Sequence, residues 1–305
     1  MSSWRIVFLG TPDFAVESLK ALLQAGYNVV GVVTAPDKRA GRGQKLSESA
    51  VKQYAQEQGL PILQPIKLKD PEFIAQLSAL KPDLQVVVAF RMLPETVWNL
   101  PPQGTVNVHG SLLPKYRGAA PINWAILNGE KETGVSTFKL QHEIDTGDIL
   151  LQEKMPIGPN ETAGELHDRM KVEGAQLLVK TLQELANGTL KASQQQLNSD
   201  IKHAPKLFKG DYEIDWNKAA EQIHNQIRGL SPYPTAFTVL GDKTLKIFSA
   251  EIEPGKPEIP AGTFSSDHKS YLKFAATDGY LSLKEMQLEG KKKMGIEEFL
   301  RGIRL

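Results

Sequence analysis

Two apolar rhythms run along this chain, and they change near its middle. In the first part, short apolar runs alternate with stretches of helical spacing. Residues 5–9 predict a buried strand closed by Gly10-Thr11-Pro12-Asp13. Residues 14–25 then predict a helix, with Thr11 as its cap and Pro12 at its first position. A strand over 28–34, a helix over 47–58, a short strand over 61–64, a helix over 71–80 and a strongly apolar strand over 85–90 follow. Strands that alternate with helices predict a parallel sheet. The opening strand-turn-helix is Rossmann-like but lacks Gly-x-Gly-x-x-Gly, so a dinucleotide cofactor is not expected.

Residues 105–109, Thr-Val-Asn-Val-His, alternate β-branched and polar positions and predict another strand, broken at Gly110. A proline-containing loop leads to an apolar helix over 119–127. Residues 134–140 are β-like, and the loop after them carries Asp145 and Asp148. Residues 161–186 predict a long amphipathic helix, with Thr162 and Glu165 as a capping box and Asn187-Gly188 at its end.

Beyond this the pattern is different. Residues 190–209 are polar, contain a glutamine run and read as a linker. A helix over 219–230 precedes short β-like runs at 236–240, 244–250, 262–264, 271–275 and 280–283, which predict a small β-barrel. The expected fold is α/β. A Rossmann-like, open and mostly parallel sheet fills residues 1–189, the linker 190–209, and a smaller OB-like barrel 210–305. A length of 305 residues fits two domains.

Composition narrows the function classes. The net charge of +1 excludes a bulk electrostatic partner, so any nucleic-acid contact must come from local patches. There is no cysteine, which excludes thiolate catalysis, disulfides and Cys-ligated zinc. No leader-like start and no apolar run of membrane length stand out, so the expectation is a cytoplasmic protein without membrane contact. Residues 35–46, APDKRAGRGQKL, are basic, glycine-rich and aperiodic. They predict a mobile loop: a solvated surface segment, or an arm in which Lys38, Arg39, Arg42 and Lys45 reach for phosphate or RNA.

The candidate chemistry sits around 105–122. Side chains two apart on a strand share a face, so Asn107 and His109 leave the sheet together near the strand's carboxyl end. Ligands of open α/β sheets bind at that edge. Taken singly, each residue has an ordinary structural role, and Asp-Thr-Gly-Asp is explained by Asx-turn chemistry. Together, an Asn, a His and an Asp at one sheet edge suit acyl-group chemistry.

Several segments together resemble the methionyl-tRNA formyltransferases, the tRNA-modifying branch of the folate-dependent formyltransferase family. They are FLGTPDFAV (8–16), APDKRAGRGQKL (35–46), NVHGSLLPKYRGAAPI (107–122), DTGDIL (145–150) and DWNKAAEQIHNQIRGLSPYP (215–234). The resemblance implies formyl transfer from 10-formyltetrahydrofolate to the α-amine of methionine on initiator Met-tRNA, with no metal. It implies that Asn107, His109 and Asp145 are catalytic. It places Ser111, Leu112, Leu113 and Pro114 along the folate site, and Arg42 of the basic loop at the tRNA acceptor end. In this chemistry Asn107 and a protonated His109 donate to the developing oxyanion, while Asp145 orients the imidazole and relays protons. A monomer is expected. The sequence departs from the family's pattern at Phe90-Arg91-Met92-Leu93-Pro94, where Tyr-Gly is common beside the pterin, at Gly110, and at Pro234-Thr235 in place of Pro-Gly. Rival readings are a formyltransferase for a small amine, a formyltetrahydrofolate hydrolase, and a non-catalytic RNA-binding protein on the same scaffold.

Overall fold

The computed structural model describes residues 3–40, 45–196 and 201–302. In chain order come β1 (Arg5–Gly10), α1 (Asp13–Gln24), β2 (Asn28–Val33), β3 (Lys38–Ala40), β4 (Lys45–Ser47), α2 (Ala50–Glu57), β5 (Ile62–Leu63) and α3 (Pro71–Ala79). Next are β6 (Leu84–Val88), α4 (Glu95–Trp98), β7 (Thr105–His109), β8 (Arg117–Gly118), α5 (Pro121–Leu127), β9 (Glu132–Lys139), β10 (Ile149–Pro156) and α6 (Ala163–Ala186). The remainder is β11 (His203–Ala204), a 3₁₀ turn (Lys209–Tyr212), α7 (Ala220–Gly229), β12 (Ala236–Leu240), β13 (Lys243–Pro254), β14 (Phe264–Ser266), β15 (Leu272–Ala275), β16 (Gly279–Leu288), β17 (Met294–Gly295) and α8 (Ile296–Gly302).

The chain divides into two compact units. The first takes the residues up to Gly118, Gly134–Met155 and His167–Lys202; the second takes Ala119–Thr133, Pro156–Leu166 and the chain from His203 on. The reason is packing: Asn123 Nδ2 donates to Gly229 O at 2.8 Å, and Arg228 Nη1 donates to the carbonyls of Gly158 (3.2 Å) and Glu161 (3.1 Å). The first satisfies a backbone acceptor of α7 with a side chain of an early segment, and the other two satisfy acceptors of an early segment with a side chain of α7.

The first unit is built on a seven-stranded sheet in the order β10-β9-β7-β6-β1-β2-β5. β5, β2, β1, β6 and β7 run parallel, and β9 joins β7 antiparallel. Val7, Leu9, Val33, Phe73, Leu77 and Val87 form a buried core on one face. On α6, a Cβ at Gly174 would lie 3.2 Å from Val108 and 3.4 Å from Val135, so the glycine lets the helix press on the sheet. That contact closes the face of β7 opposite to Asn107 and His109.

The second unit is an antiparallel half-barrel sheet in the order β12-β13-β16-β15-β14, with β17 on β16. α7 supplies Ile223 and Ile227 to its core, and Trp216 stacks on Phe274 with ring centroids 4.7 Å apart. β17 and α8 were not legible as elements. Two of the three consecutive lysines pair with acids, Lys292 with Glu298 (3.0 Å) and Lys293 with Glu285 (2.7 Å).

The Thr11 cap is corrected: α1 begins at Asp13, Pro12 is its N-cap, and no side chain caps it. Proline has no side-chain acceptor to offer the first turn, where Ala15 N–H donates to Pro12 O at 3.0 Å. The apolar strand over 85–90 ends at Val88, because Ala89 turns to φ +46°. The Thr162–Glu165 capping box is present, with Glu165 N–H to Thr162 Oγ1 at 3.2 Å and Thr162 N–H to Glu165 Oε2 at 2.8 Å.

Candidate active site

β6 and β7 are parallel neighbours, Val88 beside Val108, so the loops after them leave the same edge of the sheet. Asn107 and His109 face the register partners Phe138 and Ser136 on β9. His109 is buried, with the Phe138 ring edge-on to it at 6.4 Å. Its Nε2 lies 2.8 Å from Tyr116 O. A carbonyl only accepts, so Nε2 carries the hydrogen, and Nδ1 is turned to Asp145 Oδ2 at 3.8 Å. That gap is too wide for a direct hydrogen bond. A third atom beside the line joining the two groups can lie at about 2.9 Å from each. Asn107 is half-buried, and no hydrogen bond joins its side chain to another described residue.

The loop after β7 is tied down from inside. Ser111 Oγ donates to Lys115 O at 2.6 Å, and Ser136 Oγ donates to Ser111 O at 2.6 Å while accepting from Leu113 N–H at 3.0 Å. Gln152 Nε2 donates to Leu113 O at 3.0 Å. Ser111 and Leu113 are therefore buried, while Leu112 and Pro114 are half-exposed.

Asp145 stands at φ +55°, a region that non-glycine residues rarely adopt. Gly118 N–H donates to its Oδ2 at 2.9 Å. Two residues on, a Cβ at Gly147 would come within 1.6 Å of Lys139 O, so no other residue fits the turn. Gln195 clamps the loop, its Nε2 donating at 2.8 Å to the carbonyls of both Asp145 and Gly147. Arg117 holds Gln195 Oε1, through Nε at 3.1 Å and Nη2 at 2.6 Å. The sequence reading missed Gln195 and placed it in a linker, because a run of three glutamines gives no hint which one is buried. Asp148 lies beside this clamp but contributes only its carbonyl, to Lys139 N–H at 3.1 Å.

At the same edge, Arg91 bridges two loops. Its Nη1 donates to Ile66 O at 2.8 Å and its Nη2 to Pro65 O, and its guanidinium lies 5.7 Å from the centroid of the Phe90 ring. Met92 and Ile66 beside it are exposed.

The basic segment is not the aperiodic loop expected. β3 and β4 pair antiparallel, Lys38 with Ser47, Arg39 with Leu46 and Ala40 with Lys45, so the described residues on either side of 41–44 form a strand pair. Lys38 is exposed, and Arg42 lies outside the described residues. The base of the hairpin is pinned by Lys52, whose Nζ is 2.5 Å from Asp37 Oδ2 and 2.7 Å from Glu48, while Gln64 Nε2 donates to Asp37 Oδ1 at 2.8 Å. The hydrogen bond from Lys52 holds the Asp37 carboxyl below its ordinary range, and Asp37 in turn raises Lys52.

Among the described residues, Asp13, His167 and Asp168 form a group of metal-ligand composition. The Lys171 ammonium already pairs with both carboxylates, 2.8 Å from Asp168 and 3.4 Å from Asp13. No described helix is long and apolar enough to cross a membrane.

A mostly parallel sheet thus brings an amide, an imidazole and a carboxylate to its carboxyl edge, an arrangement that suits acyl-group chemistry. The comparisons are specific. The formyl transferase family profile matches residues 4–182, and that of the formyl transferase C-terminal domain matches residues 206–304. The chain belongs to the formyl transferase family and is a one-carbon transferase. It is 52% identical to the methionyl-tRNA formyltransferase of Parabacteroides distasonis, over 98% of this chain and 96% of that one. It is 50% identical to the methionyl-tRNA formyltransferase of Bacteroides thetaiotaomicron, over 99% and 96%. Among solved structures, an N-formyltransferase from Helicobacter canadensis in complex with folinic acid and dTDP-3-aminofucose matches with a TM-score of 0.68 at 22% identity, covering 95% of this chain and all of that one. HypX from Aquifex aeolicus, in complex with tetrahydrofolic acid, matches with a TM-score of 0.67 at 18% identity, over 99% of this chain and 48% of that one. At these identities the structural likeness is one of fold.

Proposed function

We propose that this chain transfers the formyl group of 10-formyltetrahydrofolate to the α-amine of methionine on initiator Met-tRNA. The observation that carries the reading is the end-to-end match, through both family domains, to relatives named for that activity. The site chemistry agrees with it. A flat, partly apolar folate suits an edge where Met92 and Ile66 are exposed and Leu112 and Pro114 half-exposed. Ser111 to Pro114 form one wall, with the buried Ser111 and Leu113 setting its shape.

The amine attacks the formyl carbon, a C–N bond forms, and an oxyanion develops. Asn107 donates its unengaged N–H₂ to that oxygen, where a preorganised donor is worth most. His109 and Asp145 face each other across a gap that admits the reacting amine. There Asp145 accepts the proton the amine loses, the imidazolium of His109 gives its Nδ1 proton to the folate nitrogen as its bond to the formyl carbon breaks, and the proton on Asp145 then returns to Nδ1, which restores both groups. Atoms and charge balance within the two substrates and these side chains.

Residues 1–189 carry catalysis on this reading and residues 210–305 help dock the tRNA, with 190–209 between them. The segment 35–46, with Lys38, Arg39, Arg42 and Lys45, contacts the acceptor end. The protein works as a cytoplasmic monomer. Formylation assays with charged initiator tRNA beside charged elongator Met-tRNA test this. Formylation of the initiator alone is expected; folate turnover with neither tRNA formylated would move the acceptor to a small amine or water.

A further inference from the structure

The second unit carries a cleft of about 670 Å³ on the outer face of its sheet. Its floor is a row across three strands. Phe237 of β12 lies opposite Lys246 of β13, and Lys246 lies opposite Gln287 of β16. Their chain neighbours Ala236, Thr238, Leu245, Ile247, Met286 and Leu288 all point into the core, so the alternation turns these three outward. Tyr233 stands at the rim, 84% exposed, which is unusual for so large a ring. The backbone beside it is fixed by hydrogen bonds. Thr235, two residues on, sits at φ +80°, where a β-branched residue is strained. Its N–H donates to Leu230 O at 2.8 Å and its hydroxyl to Pro232 O at 2.7 Å. Strain that surrounding bonds maintain marks functional segments.

The polar groups of the cleft are mixed in sign. Lys246 and Lys209 have no acidic partner among the described residues, whereas Lys273 and Lys284 on the same sheet are paired with Glu253 and Glu251. Against them stand Glu213 and Glu289. Gln287 Nε2 is used on Lys291 O at 2.8 Å, which leaves its Oε1 as an acceptor. A groove that tracks a run of phosphates would carry one sign of charge. An aromatic rim, an isolated lysine and carboxylate or amide acceptors fit a single splayed-out nucleotide instead, stacked on its face and read on its edge.

We propose that this cleft docks one unpaired nucleotide of the tRNA substrate, its base stacked on Tyr233 and its phosphate paired with Lys246. The acceptors Glu213 and Gln287 Oε1 select a base with an exocyclic amino group. The proposal rests on the tRNA reading above and adds to it a site that reads a base, where the hairpin supplies only charge.

The test uses the full chain with charged initiator tRNA, in wild-type, Tyr233→Ala, Tyr233→Phe and Lys246→Ala forms. Stacking on one base supports about a tenfold or greater rise in KM for the tRNA with Tyr233→Ala, with Tyr233→Phe near wild type and KM for the folate donor kept. Lys246→Ala should lower the slope of log affinity against log salt by about one, and Tyr233→Ala should leave that slope alone. Chemical probing should show one unpaired base protected by the wild type and exposed by Tyr233→Ala. Unchanged KM for the tRNA in both alanine variants overturns the cleft proposal. So does a Tyr233→Ala loss that Tyr233→Phe shares, or one accompanied by loss of folate use. A wild type that formylates no Met-tRNA overturns the parent reading, which separates the two failures.

Discussion

His109 Nδ1 faces Asp145 Oδ2 across 3.8 Å, while the opposite ring nitrogen is fixed on the Tyr116 carbonyl at 2.8 Å. One nitrogen is thus committed to orientation, and the proposed mechanism assigns the other to chemistry. Replacing Asp145 by Asn keeps the shape of the gap and the acceptor for Gly118 N–H, but removes the carboxylate. We expect kcat for formyl transfer to fall by about 10² or more, within the span of general acid–base catalysis, with KM for the folate donor little changed. Steady-state kinetics in which KM moves and kcat does not would contradict the role.

On the proposed mechanism Gln195 acts through Asp145 as a positioning residue. Gln195→Ala leaves two buried carbonyls without their donor, and each such loss costs about 1–3 kcal/mol. The variant should be less stable and its kcat lower, while both KM values hold. Gln195→Glu has no N–H to give and should not rescue it. A variant that melts lower but turns over at the wild-type rate would limit Gln195 to a structural role.

Arg91 ties the loop after β6 to the Pro65 and Ile66 carbonyls. Arg91→Lys cannot serve both carbonyls with a planar fork. The expected result is a severalfold higher KM for the folate donor in Arg91→Lys and Arg91→Ala, with KM for tRNA unaffected. Equal folate kinetics in wild type and both variants would remove Arg91 from the site.

The site was legible only in part, and the limits have physical causes. Asn107 and His109 could be paired from sequence because a strand has period two, and β7 keeps that period to its last residue. Asp145 was marked by a turn sequence whose glycine is now explained by the Lys139 carbonyl against it. Gln195 was hidden because its bonds reach back 50 residues to Asp145 and its neighbours are also glutamines. The basic hairpin was hidden because three-residue strands are too short to show alternation, and what stabilises its base is Lys52 in α2. The parallel sheet was clear because its strands are long and apolar. The interleaving of the two units was not, since hydrogen bonds such as Arg228 to Glu161 leave no periodic trace.

His224 gives a pH prediction. Burial on α7 lowers its pKa, with Arg228 adding to the shift and Glu221 opposing it. The unfolded chain therefore binds a proton at a pH where the folded chain does not. Stability from this group is complete above the ordinary histidine value of about 6.5 and is lost as pH falls from there through the folded value. Tm should drop across that window in the wild type, and less in His224→Asn. Parallel Tm profiles for the two proteins would contradict the assignment.

On the proposed mechanism the Asn107, His109 and Asp145 edge carries out formyl transfer to initiator Met-tRNA. The most direct test is the single-turnover rate of formyl transfer to charged initiator tRNA by wild type and Asn107→Ala, with both substrates saturating. The account predicts formyl-Met-tRNA from the wild type and a rate about 10²–10³ lower in the variant, the usual effect of losing one oxyanion donor. An undiminished rate in Asn107→Ala, or one restored by raising the folate concentration, would contradict it.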